Sequence, residues 1–191
     1  MRFVALAILI TVTQACAGLQ FHDTDYNPEQ LRDELWNVAD GVSLWEMQPV
    51  ELPLMVYVTD PGVESRAKRA IDAWNDALGD EVLRMVDVDG DETGFDIAIV
   101  DASEDDDPGR NPNMNGITQL MPAGGLRVEV VPVIVLFNKS NETLMHEIGH
   151  ALGLDHDELE RDSIMFPYSS GRILPEIEAI DVAVLQWVFD I

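Results

Sequence analysis

Cysteine is nearly absent from the sequence, with Cys16 the single example among 191 residues. One cysteine cannot form a disulfide within the chain, so a small disulfide-stabilised scaffold is excluded. Any metal site must therefore use imidazole and carboxylate ligands instead of thiolates.

Basic residues are also scarce, with 11 Lys and Arg against 36 Asp and Glu and a formal net charge of −25. A surface of this sign repels phosphate backbones and anionic lipid headgroups, so we expect no nucleic-acid partner. The chain is 47% hydrophobic and can bury a core. Its length suits one domain, since domains most often hold about 100–150 residues.

Long hydrophobic runs are missing as well, and the apolar run over residues 3–12 is too short to cross a bilayer of about 30 Å as a helix. Arg2 before it and small residues after it are typical of an export signal over residues 1–17. Two routes are open: secretion after cleavage at Ala17, or anchoring at the cell surface or outer membrane as a lipoprotein modified at Cys16. An uncleaved N-terminal helix is the remaining interpretation.

Hydrophobic periodicity divides the rest of the chain into an N-terminal extension with a short helix, residues 18–50, and one domain, residues 51–191. Helices are predicted over residues 28–40, 64–78, 140–152 and 175–189. Strands are predicted over residues 52–59, 82–88, 95–100, 117–121 and 127–137. Alternating strands and helices indicate an α/β (α+β) fold with a mixed sheet.

The chemistry is concentrated in one eleven-residue stretch that contains three of the four histidines. His146 and His150 are four residues apart, so on a helix both imidazoles project from one face and can bind one ion. Gly153 can adopt a positive φ, which lets the chain leave the helix and return His156 as a third ligand. Three neutral nitrogens with one open position are the ligand set of a catalytic zinc.

Glu147 follows His146 directly and is offset by about 100° around the helix, so it can reach a water on the metal without chelating the metal itself. We therefore predict that Glu147 is the general base, while zinc acidifies the water and polarises the scissile carbonyl. An accidental cluster is the alternative, but the combined spacing of three His, one Glu and one Gly argues against it. His22, outside the motif, is interpreted as a surface residue.

The pattern H-E-x-x-H-x-x-G-x-x-H resembles the metzincin zinc endopeptidases, and Met165 stands where that clan has its methionine turn. Within the clan the chain is most similar to the matrixins, the matrix-metalloproteinase family and its bacterial relatives. The similarity covers residues 52–189 and is carried by HEIGHALGL at 146–154, the Met-x-Pro turn at 165–167, the closing helix at 181–189 and the strand at 94–99.

The resemblance implies a metzincin catalytic domain with a twisted five-stranded mixed sheet, an active-site helix and a C-terminal helix. Residues 117–121 become an antiparallel edge strand, on which an extended polypeptide substrate can dock by β-augmentation. Ile117, Gln119 and Tyr168 are the candidate substrate contacts, and residues 166–171 would form a pocket wall. Met165 would lie below the imidazoles as a hydrophobic floor, although an ordinary core methionine would pack in nearly the same way.

Some positions depart from the family pattern. Asp157 follows the third His. Matrixins usually carry Ser at this position, whereas the adamalysin branch carries Asp. Gln119 lies about where a histidine for a structural zinc would be, so one catalytic zinc is expected, and Tyr168 has the wrong spacing for a ligand. Calcium is possible through the acidic residues at 101 and 105–107, whereas the acidic segment 87–91 lacks the spacing of an EF-hand and is interpreted as a turn.

These observations predict a monomeric, exported, zinc-dependent endopeptidase. Two alternatives stay open. One is a surface-anchored protein that holds zinc for structure or peptide capture without turnover, against which the intact Glu147 argues. The other is a zinc hydrolase that acts on a non-peptide amide.

Overall fold

The computed structural model describes residues 44–47, 51–86, 94–103, 114–122, 130–158, 160–168 and 176–191. Several predictions lie outside these residues, among them the export signal with Cys16, the surface position of His22, the helix over residues 28–40 and the acidic turn over residues 87–91. Within the described part of the chain, no helix has the length and apolarity needed to span a membrane.

The centre of the domain is one mixed sheet, as predicted. Its strands are β1 (Leu54–Val58), β2 (Leu83–Val86), β3 (Ile97–Asp101), β4 (Gly116–Pro122) and β5 (Val130–Leu136), in the order β2-β1-β3-β5-β4. Neighbouring strands are parallel except β4, which pairs antiparallel with β5 and forms one edge of the sheet. Where both ends are described, the observed strands differ from the predicted ones by one or two residues.

Four helices accompany the sheet in the described residues: α1 (Leu44–Met47), α2 (Pro61–Leu78), α3 (Asn141–Leu152) and α4 (Ala179–Phe189). The prediction that α2 begins at residue 64 was wrong by three residues. Asp60 is the N-cap, with its carboxylate accepting a hydrogen bond from Gly62 N at 2.6 Å, and Pro61 occupies the first turn, where a missing N–H does no harm.

The predicted start of the last helix at residue 175 was also wrong. Glu176 forms a β-bridge with Ser163, and Glu178 serves as the N-cap, so α4 begins at Ala179. The Asp181 carboxylate accepts a hydrogen bond from Glu178 N at 3.0 Å, which completes a capping box at this end. Backbone pairing and capping thus override the hydrophobic pattern over these residues.

The core fixes α3 in place from several sides. Trp74 of α2 is fully buried, and its indole N–H donates to Met145 O of α3 at 3.0 Å. Trp45 of α1 is also buried, and its indole N–H donates to Ala151 O at the other end of α3. Because buried indole N–H groups that find carbonyl partners restrain the helix as well as pack against it, α3 is a rigid base for functional side chains.

Candidate metal centre and active site

The ends of α3 are both capped, and the second cap redirects the chain. The Ser140 hydroxyl accepts from Glu142 N at 3.1 Å and from Thr143 N at 3.4 Å. Gly153 has φ 108° and its N–H donates to carbonyls of the last turn, as a left-handed C-cap does. The chain therefore turns back at Gly153, as predicted, and carries His156 towards the helix.

Three imidazoles converge beside α3. His150 Nε2 lies 3.1 Å from His146 Nε2 and 3.1 Å from His156 Nε2, and the three histidines each offer a nitrogen within 4.8 Å of the others. Tetrahedral zinc with Zn–N bonds of about 2.0–2.1 Å places its ligand nitrogens about 3.3 Å apart. The donor set and its spacing therefore fit one small divalent ion.

Main-chain carbonyls orient two of the rings. His146 Nδ1 lies 2.7 Å from Ile164 O, and His150 Nδ1 lies 2.8 Å from Leu154 O. A carbonyl oxygen can only accept, so Nδ1 carries the hydrogen in both rings and Nε2 presents its lone pair to the shared point. The tautomer needed for metal binding is thus set by the backbone.

Electrostatics also keep these rings neutral. Burial lowers the pKa of His146, and burial together with the neighbouring His146 lowers the pKa of His150 to about 3. A neutral imidazole is the form that binds a metal ion, so protons do not compete with the ion near neutral pH.

Glu147 lies next to this cluster and is buried, with 5% of its surface exposed. Burial raises the pKa of its carboxyl to about 7, and hydrogen bonds with Thr118 oppose that rise. Thr118 belongs to the edge strand β4, and its hydroxyl lies 2.8 Å from Glu147 Oε2. Sequence reasoning missed Thr118, because nothing in the local pattern of β4 indicates what lies opposite it.

Met165, the predicted floor of the site, is fully buried. Gly149 lets it approach α3, since a Cβ built at Gly149 would lie 2.3 Å from Met165 Sδ and 3.2 Å from the Trp74 ring. The Met165 N–H donates to the Ser163 hydroxyl at 2.9 Å, which holds the turn. The packing fits the predicted hydrophobic floor, although a core methionine would look much the same.

The predicted substrate contacts lie on the surface. Gln119 is exposed on β4, Ile117 is half-buried on the same strand, and Tyr168 is 73% exposed beside Phe166, with ring centroids 5.9 Å apart. Their contact with a substrate stays a prediction, and residues 169–171 of the expected pocket wall lie outside the described part.

The calcium prediction receives no structural test, since residues 105–107 are outside the described ranges. Asp101, the described member of that set, forms an ion pair with Arg66 at 3.2 Å and accepts a hydrogen bond from Ser103 N at 2.8 Å. Its carboxylate therefore already has a cationic partner.

Comparison with protein families gives a match to the model described as Matrixin over residues 137–190. This stretch, 54 of the 191 residues, is similar to the matrixin family. It includes all three converging histidines, Glu147 and Met165. The family match and the histidine cluster therefore concern the same residues.

No curated protein matches the chain. Among solved structures, the chain is similar to metalloproteinase-II from Bacteroides fragilis, with 13% sequence identity, a TM-score of 0.45 and 75% of this chain covered. This chain spans 56% of the length of that protein.

Proposed function

We propose that this protein is an exported zinc-dependent endopeptidase that hydrolyses peptide bonds in extended polypeptides. The observation that carries the proposal is the convergence of three imidazole nitrogens beside a buried carboxylate. A purely structural zinc site has four protein ligands and no use for a nearby base, whereas a hydrolytic site leaves one position open.

In this proposal His146, His150 and His156 hold the ion. A zinc ion bound there supplies Lewis acidity, which lowers the pKa of water to about 7 and polarises a carbonyl oxygen. The orientation of His146 and His150 by carbonyl groups means that little reorganisation is needed when the ion binds.

Glu147 is the proposed general base and general acid. Its carboxylate takes a proton from the water that attacks the scissile carbonyl carbon, and it then delivers that proton to the amine as the C–N bond breaks. In the metal-free site burial raises the pKa of this carboxyl to about 7, and the charge of a bound zinc ion would favour the carboxylate that accepts the proton.

The edge strand β4 would hold the substrate. One side of β4 pairs with β5, and its other side is the edge of the sheet, so its outward N–H and C=O groups can pair with an extended peptide. Ile117, Gln119 and Tyr168 are the side chains that we expect near such a peptide.

Cleavage of casein, an unstructured protein, tests the proposal. We expect the purified protein to contain one zinc per chain and to cut casein, and we expect a chelator or the substitution Glu147→Ala to abolish cleavage. The substitution Glu142→Ala, five residues earlier on α3, is the matched control and should leave cleavage intact. A wild-type protein that holds zinc but cuts no peptide would favour capture without turnover, or hydrolysis of a different amide.

Export rests on the sequence of residues 1–17. Mass spectrometry of the mature N-terminus distinguishes the two routes, since a lipid on Cys16 and a free terminus at Gly18 differ in mass. An intact Met1 would contradict both.

A further inference from the structure

Thr118 is directed from β4 into the space beside the base. Its hydroxyl oxygen lies 2.8 Å from Glu147 Oε2 and 3.0 Å from Glu147 O. Both residues are buried, with 7% of Thr118 and 5% of Glu147 exposed. A buried hydrogen bond to a charged group is stronger than one at the surface, because water does not compete for it.

Gly116, two residues earlier on the same face of β4, completes this contact. A Cβ built at Gly116 would lie 2.9 Å from both Cγ and Oε1 of Glu147, and 2.8 Å from Thr143 Cγ2. The strand backbone therefore lies against the length of the Glu147 side chain, and any larger residue at 116 would push the two elements apart.

We propose that Thr118 is a positioning residue, whose hydroxyl holds the Glu147 carboxylate in the orientation that proton transfer requires. The inference rests on the function proposed above. Within the described residues, no other side chain donates a hydrogen bond to this carboxylate. A glutamate has three rotatable side-chain bonds, and without that bond the carboxylate is free to populate other rotamers.

The two-acceptor geometry suits a group that gains and loses a proton. A hydroxyl has one hydrogen and two lone pairs. It can donate to Oε2 while Glu147 is a carboxylate, and when the other carboxyl oxygen holds the transferred proton it can donate to Oε2 or to Glu147 O. Thr118 therefore supports the side chain before and after the transfer.

The test uses three substitutions at this position and one control. Thr118→Val keeps the shape and removes the hydroxyl, Thr118→Ser keeps the hydroxyl and removes the methyl, and Thr118→Ala removes both. Thr143→Val makes the same chemical change at another buried threonine of the β4–α3 contact, whose hydroxyl makes no bond to the Glu147 carboxylate. Steady-state cleavage of fluorescein-labelled casein, zinc content and thermal unfolding are measured for each.

We expect Thr118→Val to lower kcat roughly ten- to a hundredfold, the effect of one charge-assisted hydrogen bond, with KM and zinc content within about twofold of wild type. Thr118→Ser should recover kcat to within about threefold, and Thr143→Val should match wild type. If Thr118→Val does not fold, kcat of the Ser variant must still exceed that of the Ala variant by about tenfold or more.

Two results would overturn the inference: a Thr118→Val enzyme with wild-type kcat, or Ser and Ala variants that lose activity equally. Failure of the proposed function has a different signature, since wild type itself would then leave casein uncut.

Discussion

At the scale of one residue, Gly149 is packed tightly against Met165. Its missing side chain leaves room for Met165 Sδ, and Met165 is itself fully buried. We predict that Gly149→Ala destabilises the protein by about 1–3 kcal/mol through overpacking and weakens zinc binding. Urea unfolding and zinc titration measure the two effects.

Gly94 offers the control for that substitution. A Cβ at Gly94 meets nothing within 4 Å, so Gly94→Ala should change the free energy of unfolding by less than about 1 kcal/mol. Equal stability of the two variants would show that Met165 moves aside without strain.

Glu147 predicts a pH dependence of stability in the metal-free protein. Its pKa of about 7 in the folded protein lies above the ordinary 4.5, so between pH 4.5 and pH 7 the folded state holds a proton that the unfolded state has released. The contribution of this group to the free energy of unfolding is fully present below pH 4.5 and is lost as the pH rises through 7. We expect Glu147→Gln, which is neutral throughout, to gain up to about 3 kcal/mol over wild type between pH 4.5 and 8.

Chelator-treated samples of both proteins, unfolded in urea across that pH range, measure this difference. A gap that stays constant with pH would mean that the Glu147 carboxyl titrates normally in the folded protein.

Some residues of the site could be predicted from the sequence and others could not. His146, His150 and Gly153 follow from helix geometry alone, because four residues make about one turn and a glycine ends the helix. Thr118 is 29 residues before Glu147 in the chain. Its contact depends on strand pairing and on the packing of β4 over α3, neither of which a local pattern encodes.

At the scale of the element, α3 carries the site, and its N-terminus is held by one hydroxyl. We predict that Ser140→Ala lowers the free energy of unfolding by about 1 kcal/mol, because two N–H groups of the first turn lose their acceptor. Ser140→Asp keeps an acceptor and should remain near wild type. Urea unfolding of the metal-free protein compares them, and equal losses for Ala and Asp would argue against a capping role.

Elements were predictable in type and less so at their ends. The apolar runs within residues 95–100 and 127–137 identified the two central strands. Pro61 with Asp60 before it could have marked the true start of α2. The bridge between Ser163 and Glu176 could not be anticipated, because it joins two irregular segments that meet only in the folded domain.

At the scale of the whole molecule, the net charge of −25 is the property that we expect to affect stability most. Like charges repel one another more in the compact state than in the unfolded chain. Raising the salt concentration from about 0.01 M to 1 M shortens the screening length from about 30 Å to 3 Å, so we predict a higher Tm in high salt at pH 7.

Thermal unfolding in a sodium chloride series measures this effect. The rise should be smaller at pH 4.5, close to the sequence pI of 4.1, where the net charge is small. A Tm that falls with salt at pH 7 would mean that attractive ion pairs outweigh the repulsion.

The carbonyls of Leu154 and Ile164, which aim two of the imidazoles, have one more consequence. Every amino acid supplies the same main-chain oxygen, so the aim of the rings survives exchange of either side chain as long as the local turn is kept. Mutational scanning should therefore find both positions tolerant of other apolar residues. Tolerance of side-chain substitution at Leu154 and Ile164 would therefore not measure how much the reaction depends on the position of their carbonyl oxygens.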